Sequence, residues 1–206
     1  MMMSIRAGII ALGVGILCVI GWLIYGWYET RENQAAYQDL LEAVDGFQVA
    51  ALSKAPDRTW QDLERLFSRG AQSHKHSSLY PYFVLYNAEV LLHQDKAEQA
   101  LPLFDSALAR LKKHDLFGAQ AHIKRALIKL DMADQALKTQ GEKELEELIA
   151  DLKNPVRDMA LYHSGYRFWL QGDVKQAEQR WKMLAAQFPQ SPWTTMAQQI
   201  FVFNAA

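Results

Sequence analysis

The sequence predicts an all-α protein: a single N-terminal transmembrane helix followed by a helical solenoid. Three observations carry that expectation. Residues 7–27 form an uncharged apolar run about as long as a bilayer core is thick. From Asn33 onward apolar residues recur every three or four positions, with no sustained strand alternation. Two windows, 81–114 and 158–191, follow one scheme of small and bulky residues with a 34-residue period.

The bulk properties narrow the function classes. A chain of 206 residues suits one domain with an appendage. Lys and Arg total 22 against 23 Asp and Glu, a net charge of −1, which disfavours a nonspecific grip on nucleic acid. Cys18 is the one cysteine, so neither a disulfide scaffold nor a Cys-rich zinc site can form within the chain. Half of the residues are hydrophobic, enough for a sizeable core. Sparse proline and abundant Ala, Leu, Gln, Glu and Lys favour helix.

The first element is the run Ala7 to Trp27, "AGIIALGVGILCVIGWLIYGW". At about 1.5 Å per residue it spans roughly 30 Å. Trp22, Tyr25, Trp27 and Tyr28 cluster at its far end, as an interfacial belt would. Bulky residues around Trp27 argue against a cleavage site. Leu17 before Cys18 argues against lipid attachment. An uncleaved anchor remains, with residues 1–6 as a short leading segment and 28–206 as the domain beyond. Arg6 and the α-amino group precede the span, whereas Glu29, Arg31 and Glu32 follow it. The positive-inside bias therefore puts the amino terminus in the cytoplasm. Ala7, Ala11 and Gly15 recur at four-residue spacing and would let another membrane helix approach closely. Small residues are also common in membrane helices generally.

The remaining elements follow in order. "AAYQDLLEAVDGFQVAAL" places Ala36, Leu40, Ala43, Val44 and Phe47 on one side of a helix. "SKAPDR" interrupts it, and Thr59 is the expected N-cap of the next helix, with Asp62 in its first turn. "SRGAQSHKHSS" reads as a polar break, after which Ser77 or Ser78 caps "LYPYFVLYNAEVLLHQ". In the middle, "GAQAHIKRALIKLDMADQALKTQ" reads as one long helix, broken at Gly141 before "EKELEELIADL".

The two windows align when Ala100 is set on Ala177. Ala88 then falls on Gly165, Leu91 on Phe168, Phe104 on Trp181 and Ala107 on Leu184. These positions resemble the tetratricopeptide repeat. The second window follows it closely, through Gly165, Phe168, Gly172, Ala177, Trp181 and Pro189. The first has Ala88 at the small position and Lys112 in place of the closing proline. Antiparallel helices pack closely where a small side chain meets a bulky one. Gly165 and Ala177 supply the small contacts, and Phe168 and Trp181 fill the space beside them. Gly172-Asp173 makes the turn. Pro189 cannot continue the helix. Ser191-Pro192 caps a last helix, "WTTMAQQIFVFN", which covers the apolar face of the final pair, as a solenoid end requires. The middle segment fills the slot between the windows as a degenerate repeat.

The sequence offers few side-chain constellations suited to chemistry. His74 and His76, in "SHKHSS", read as solvated loop residues, since no acidic residue or cysteine nearby in sequence completes a metal set. His93, His114, His122 and His163 are scattered. "HSGYR" lacks the frame of a nucleophile elbow. No P-loop or dinucleotide fingerprint is present. "EKELEEL" reads as a solvated helix face. The expectation is a protein that is not an enzyme, with no catalytic residues, metal, cofactor or small-molecule substrate. Tyr80, Tyr82, Phe83, Tyr86, Trp169 and Trp181 read as repeat core, with a peptide-binding groove as the alternative for some.

An anchor leading into "AAYQDLLEAV", then "KAEQALPLFDSALA", "ADQALKT" and a terminal "GDVKQAEQRW" pair, resembles the bacterial YfgM-like family, ancillary subunits of the SecYEG translocon. The chain departs from that family in its very short leading segment and richer aromatics. The resemblance implies an inner-membrane protein, single-pass, with its repeat domain in the periplasm. It would bind a PpiD-like periplasmic chaperone and assist the handover of secreted and envelope proteins. "FPQSPW" also resembles envelope repeat proteins of the YbgF and BamD kinds, which imply an envelope scaffold or assembly factor instead.

Overall fold

The structure is a computed structural model that describes residues 30–204, with side chains up to Ile200. The apolar run 7–27, with Ala7, Ala11 and Gly15, lies outside the described residues. Among the described residues no helix is long and apolar enough to cross a membrane. All regular structure among them is α-helical. The chain divides into two compact units, the first ending at Gln94 and the second beginning at Asp95.

The first unit holds α1 (residues 30–53), α2 (Asp57–Ser73) and α3 (Tyr80–His93). Ala36, Ala43 and Ala50 of α1, two turns apart, are buried against Trp60, Leu63 and Phe67 of α2 and Phe83 and Val90 of α3. The short alanines bring α1 close, and Phe47 fills the gap edge-on to Trp60 and Tyr86, at 5.7 and 5.4 Å. Three expectations need correction. The N-cap of α2 is Pro56, not Thr59: Thr59 lies in the first turn and donates its backbone N–H to Pro56 O at 2.9 Å. The polar stretch after Phe67 is not a break, because α2 continues to Ser73 with Gly70 buried. A side chain on Gly70 would overlap the Phe83 ring, so the glycine marks a close approach of α2 and α3 rather than a turn. The N-cap of α3 is Leu79 with no side-chain cap bond, so neither Ser77 nor Ser78 caps the helix; the Ser77 hydroxyl accepts from Leu79 N at 3.0 Å in the turn before it.

The second unit holds α4 (Ala97–Leu108), α5 (Leu116–Asp131), α6 (Gln135–Ala150), α7 (Arg157–Leu170), α8 (Val174–Gln187) and α9 (Pro192–Asn204). The helix expected to run unbroken from Gly118 to Gln140 is two helices. Met132 turns to an extended conformation after α5, and Asp134 caps α6 by accepting from Ala136 N and Leu137 N. Gly141 does not break α6. It is buried in mid-helix, where a Cβ would lie 2.7 Å from Ala126 O of α5. The supposedly solvated acidic face is also partly internal. Leu145, Leu148 and Ile149 are in the core, and Glu144 reaches back to α5.

The turn between α7 and α8 forms as its residues require. Gly172 has φ +80°, which glycine adopts freely, and Asp173 caps α8 through Gln176 N at 3.0 Å. α8 ends at Gln187, before Pro189. Ser191 Oγ accepts from Trp193 N at 3.1 Å and starts α9, which packs on α7 and α8.

Candidate functional site

The windows seen in sequence correspond to α3 with α4 and to α7 with α8. Ala88, Ala100 and Phe104 are fully buried; Ala88 belongs to the first unit, and Ala100 and Phe104 to the second. In the second window Ala177, Trp181 and Leu184 are in the core of the second unit. Ala177 is fully buried, and Trp181 fills the space over Gly165. The indole Nε1–H donates to Tyr162 O at 3.1 Å, so the one polar atom of the ring is satisfied inside the core. Phe168 is half-buried, with the Arg180 guanidinium 5.8 Å from its centroid.

Two features of α7 lie at the edge of that core. One is an aromatic ladder at i, i+4, i+7 spacing: Tyr162 stacks on Tyr166 at 6.1 Å, and Tyr166 on Trp169 at 5.6 Å. Trp193 of α9 joins Tyr162 at 5.0 Å and His163 at 5.3 Å. Tyr166, Trp169 and Trp193 are half-buried, while Leu170 and Val174 beyond them are exposed. Burial holds the His163 imidazole down at about 4, well below the ordinary histidine range.

The other feature is a cleft of about 340 Å³ between α6 and the α7–α8 hairpin. Leu130, Leu145 and Phe168 give it an apolar wall, and Glu142, Glu146, Arg167 and Arg180 give it charge. Arg180 Nη2 lies 2.8 Å from Glu146 Oε1, and Arg167 Nη2 lies 3.8 Å from Glu142 Oε1. The sequence alone did not single out these four residues. Spread over positions 142 to 180, they read as separate surface charges until α6, α7 and α8 are packed.

The histidines occupy several environments. His74 is buried rather than solvated, a second correction to the reading of "SHKHSS". Its Nε2 lies 2.8 Å from Asp39 Oδ2 and its Nδ1 3.3 Å from Glu32 Oε1, both carboxylates coming from α1. His76 is exposed. His93 is exposed on one face and stacks on Trp60 at 4.1 Å with the other. His114 and Lys113 both contact Asp151 and hold its carboxyl well below the usual carboxylate range. Burial lowers the His122 imidazole, with the Arg125 and Lys113 charges adding and Glu144 opposing. Among the described residues no three His, Cys, Asp or Glu side chains are grouped to hold a metal ion. No protein-family model, curated protein or solved structure matches the chain.

Proposed function

We propose that this protein is a membrane-tethered, non-enzymatic adaptor whose tetratricopeptide-like repeats hold other polypeptides, and that it serves as an accessory of the Sec translocon. The observation that carries the binding role is the aromatic row on α7, in which buried Tyr162 continues into half-buried Tyr166 and Trp169, bordered by exposed Leu170 and Val174. Aromatic side chains at a wet boundary are what protein interfaces favour, since each offers large contact area with few rotors to fix. The α7–α8 hairpin supports the repeat register: Gly165 against Trp181 is the small-to-large contact that the 34-residue scheme requires. Residues 7–27 would be the tether, with the helical domain in the periplasm. The SecYEG translocon and a PpiD-like chaperone enter through the resemblance to the YfgM-like family.

The test is photocrosslinking in cells, from Ala11 and Gly15 in the tether and from Trp169 on α7. The expected captures are a translocon or chaperone membrane helix from the first two and a periplasmic polypeptide from the third. Recovery of lipid alone, or of outer-membrane assembly factors alone, would overturn the translocon role in favour of an envelope scaffold. An alkaline phosphatase fused after Ala206 should be active, because that enzyme needs an oxidising compartment for its disulfides.

A further inference from the structure

We propose that the cleft between α6 and the α7–α8 hairpin is a binding site for a peptide carboxylate, in which Glu146 occupies the ligand's place in the free protein. The proposal rests on the reading of this domain as a polypeptide-binding module and names the chemistry it recognises.

The asymmetry of the cleft's charges carries the argument. Its cations are anchored: the Arg167 and Arg180 side chains are 22 and 19 % exposed. Arg167 Nη1 donates to Leu130 O at the end of α5, at 3.5 Å, and Arg180 lies against the Phe168 ring. Its anions are loose: the Glu142 and Glu146 side chains are 56 and 48 % exposed. An ion pair with one well-solvated member contributes little. Glu146 can therefore turn into water while Arg180 stays in position.

Unsatisfied hydrogen-bonding capacity points the same way. The Nε of Arg167 is buried and has no hydrogen-bond partner. A buried charged donor without an acceptor is costly, and an anion paired with the exposed edge of the same guanidinium would offset part of that cost. Ser164, 3 % exposed, lines the same cleft and adds a hydroxyl. Two guanidinium groups present planar pairs of N–H donors that match a carboxylate, while the apolar wall of Leu130 and Leu145 suits the adjoining aliphatic atoms. At about 340 Å³ the cleft takes one or two residues, not a folded surface. The carboxylate can come from a chain terminus or from an Asp or Glu side chain.

The experiment uses the full-length chain in detergent micelles and three dye-labelled peptides, read by fluorescence anisotropy. The first is GSAGSAGSAL as the free acid, the second is its C-terminal amide, and the third is the amide with Glu in place of the last Ala. One or both carboxylate-bearing peptides should bind about tenfold or more tightly than the plain amide. Preference for the first assigns the site to chain termini, and preference for the third to acidic side chains. Arg180→Gln should weaken carboxylate binding about tenfold, whereas Glu146→Gln should tighten it several-fold by removing the competing anion. If Arg180 and Glu146 were only a structural pair, the two substitutions would act in the same direction, and that result overturns the site. So does equal binding of all three peptides, or no carboxylate-dependent binding up to about 1 mM. Glu146 is exposed enough for its variant to fold, which keeps the test decisive if Arg180→Gln does not. Crosslinking from Ala11 and Gly15 separates the two levels. Intact partner capture with no carboxylate preference removes this site alone. Carboxylate binding without partner capture supports the site and removes the translocon assignment.

Discussion

Trp181 of α8 lies over Gly165 of α7 so closely that a Cβ on the glycine would come within 2.6 Å of the indole Cδ1, and the same indole donates to Tyr162 O. The ring is thus held by shape on one side and by a buried hydrogen bond on the other. Gly165→Ala must displace the ring and disturb that bond. The expected loss is about 1–3 kcal/mol, the usual range for overpacking a tight core. Gly172→Ala is the contrasting variant. It meets open space but must hold φ +80°, costing about 1–2 kcal/mol of backbone strain without disturbing the core. Thermal melts with tryptophan fluorescence distinguish them: both lower the midpoint, but only Gly165→Ala should change the native emission.

Glu144 of α6 ties that helix to α5 through one carboxylate. Lys129 Nζ, 3 % exposed as a residue, is 2.7 Å from Oε1, and Arg125 and Gln140 also donate to the same group. Glu144→Ala leaves a buried ammonium without its counter-charge, and the expected loss is about 3–5 kcal/mol. Lys129→Met combined with Glu144→Leu should recover most of it, because the desolvated charges disappear together. Denaturant unfolding of the two variants checks this. A double variant no better than Glu144→Ala would place the effect outside the ion pair.

How much was legible in the sequence depended on how far apart the deciding residues lie. The α7–α8 hairpin was readable because its small and bulky partners sit at fixed local spacing, down to the turn at Gly172. The α5–α6 junction was not, since Met132 ends one helix and Asp134 caps the next without any glycine or proline beside them. Gly141 misled for a related reason. A helical glycine marks either a break or a close approach, and only the position of Ala126 O decides which. Gly70 against Phe83 repeats that ambiguity. His74 looked solvated because its carboxylates stand 35 and 42 residues upstream. The Arg167–Arg180 cleft failed to appear for the same reason, being assembled from four helices.

Acid should loosen the second unit by way of His163. Its folded value lies at about 4 against an ordinary 6.5, so the unfolded chain binds more protons between those limits. Stability is therefore full above about pH 6.5 and falls as pH drops toward 4, by about 2–3 kcal/mol in all. His122, also lowered by burial, acts in the same direction. His163→Phe should flatten much of that slope, measured as unfolding midpoints in urea from pH 7 to 4. An unchanged slope would show that the imidazole beside Trp193 is as easily protonated in the folded state as in the unfolded one.

Near the first of the described residues, α1 is held by polar contacts. Asn33 Oδ1 accepts from Ser77 Oγ at 2.7 Å, from Ser78 N at 3.0 Å and from Ser78 Oγ at 3.2 Å. Glu32 and Asp39 flank His74, whose ring also stacks on Phe83 at 5.6 Å. Further along α1 the contacts are apolar, from Ala36 to Ala50. Asn33→Ala removes the acceptor for three donors at once without touching that apolar seam. Hydrogen exchange should rise in the first two turns of α1 and in residues 74–79, by about tenfold for each 1.4 kcal/mol of lost local stability. Exchange around Ala43 and Ala50 should stay slow, and the global midpoint should move little. His74→Phe keeps the stacking surface but loses both carboxylate contacts, so it should loosen the same segment. If either variant instead unfolded all of α1 together with α2, the helix would be one cooperative element without separately adjustable first turns.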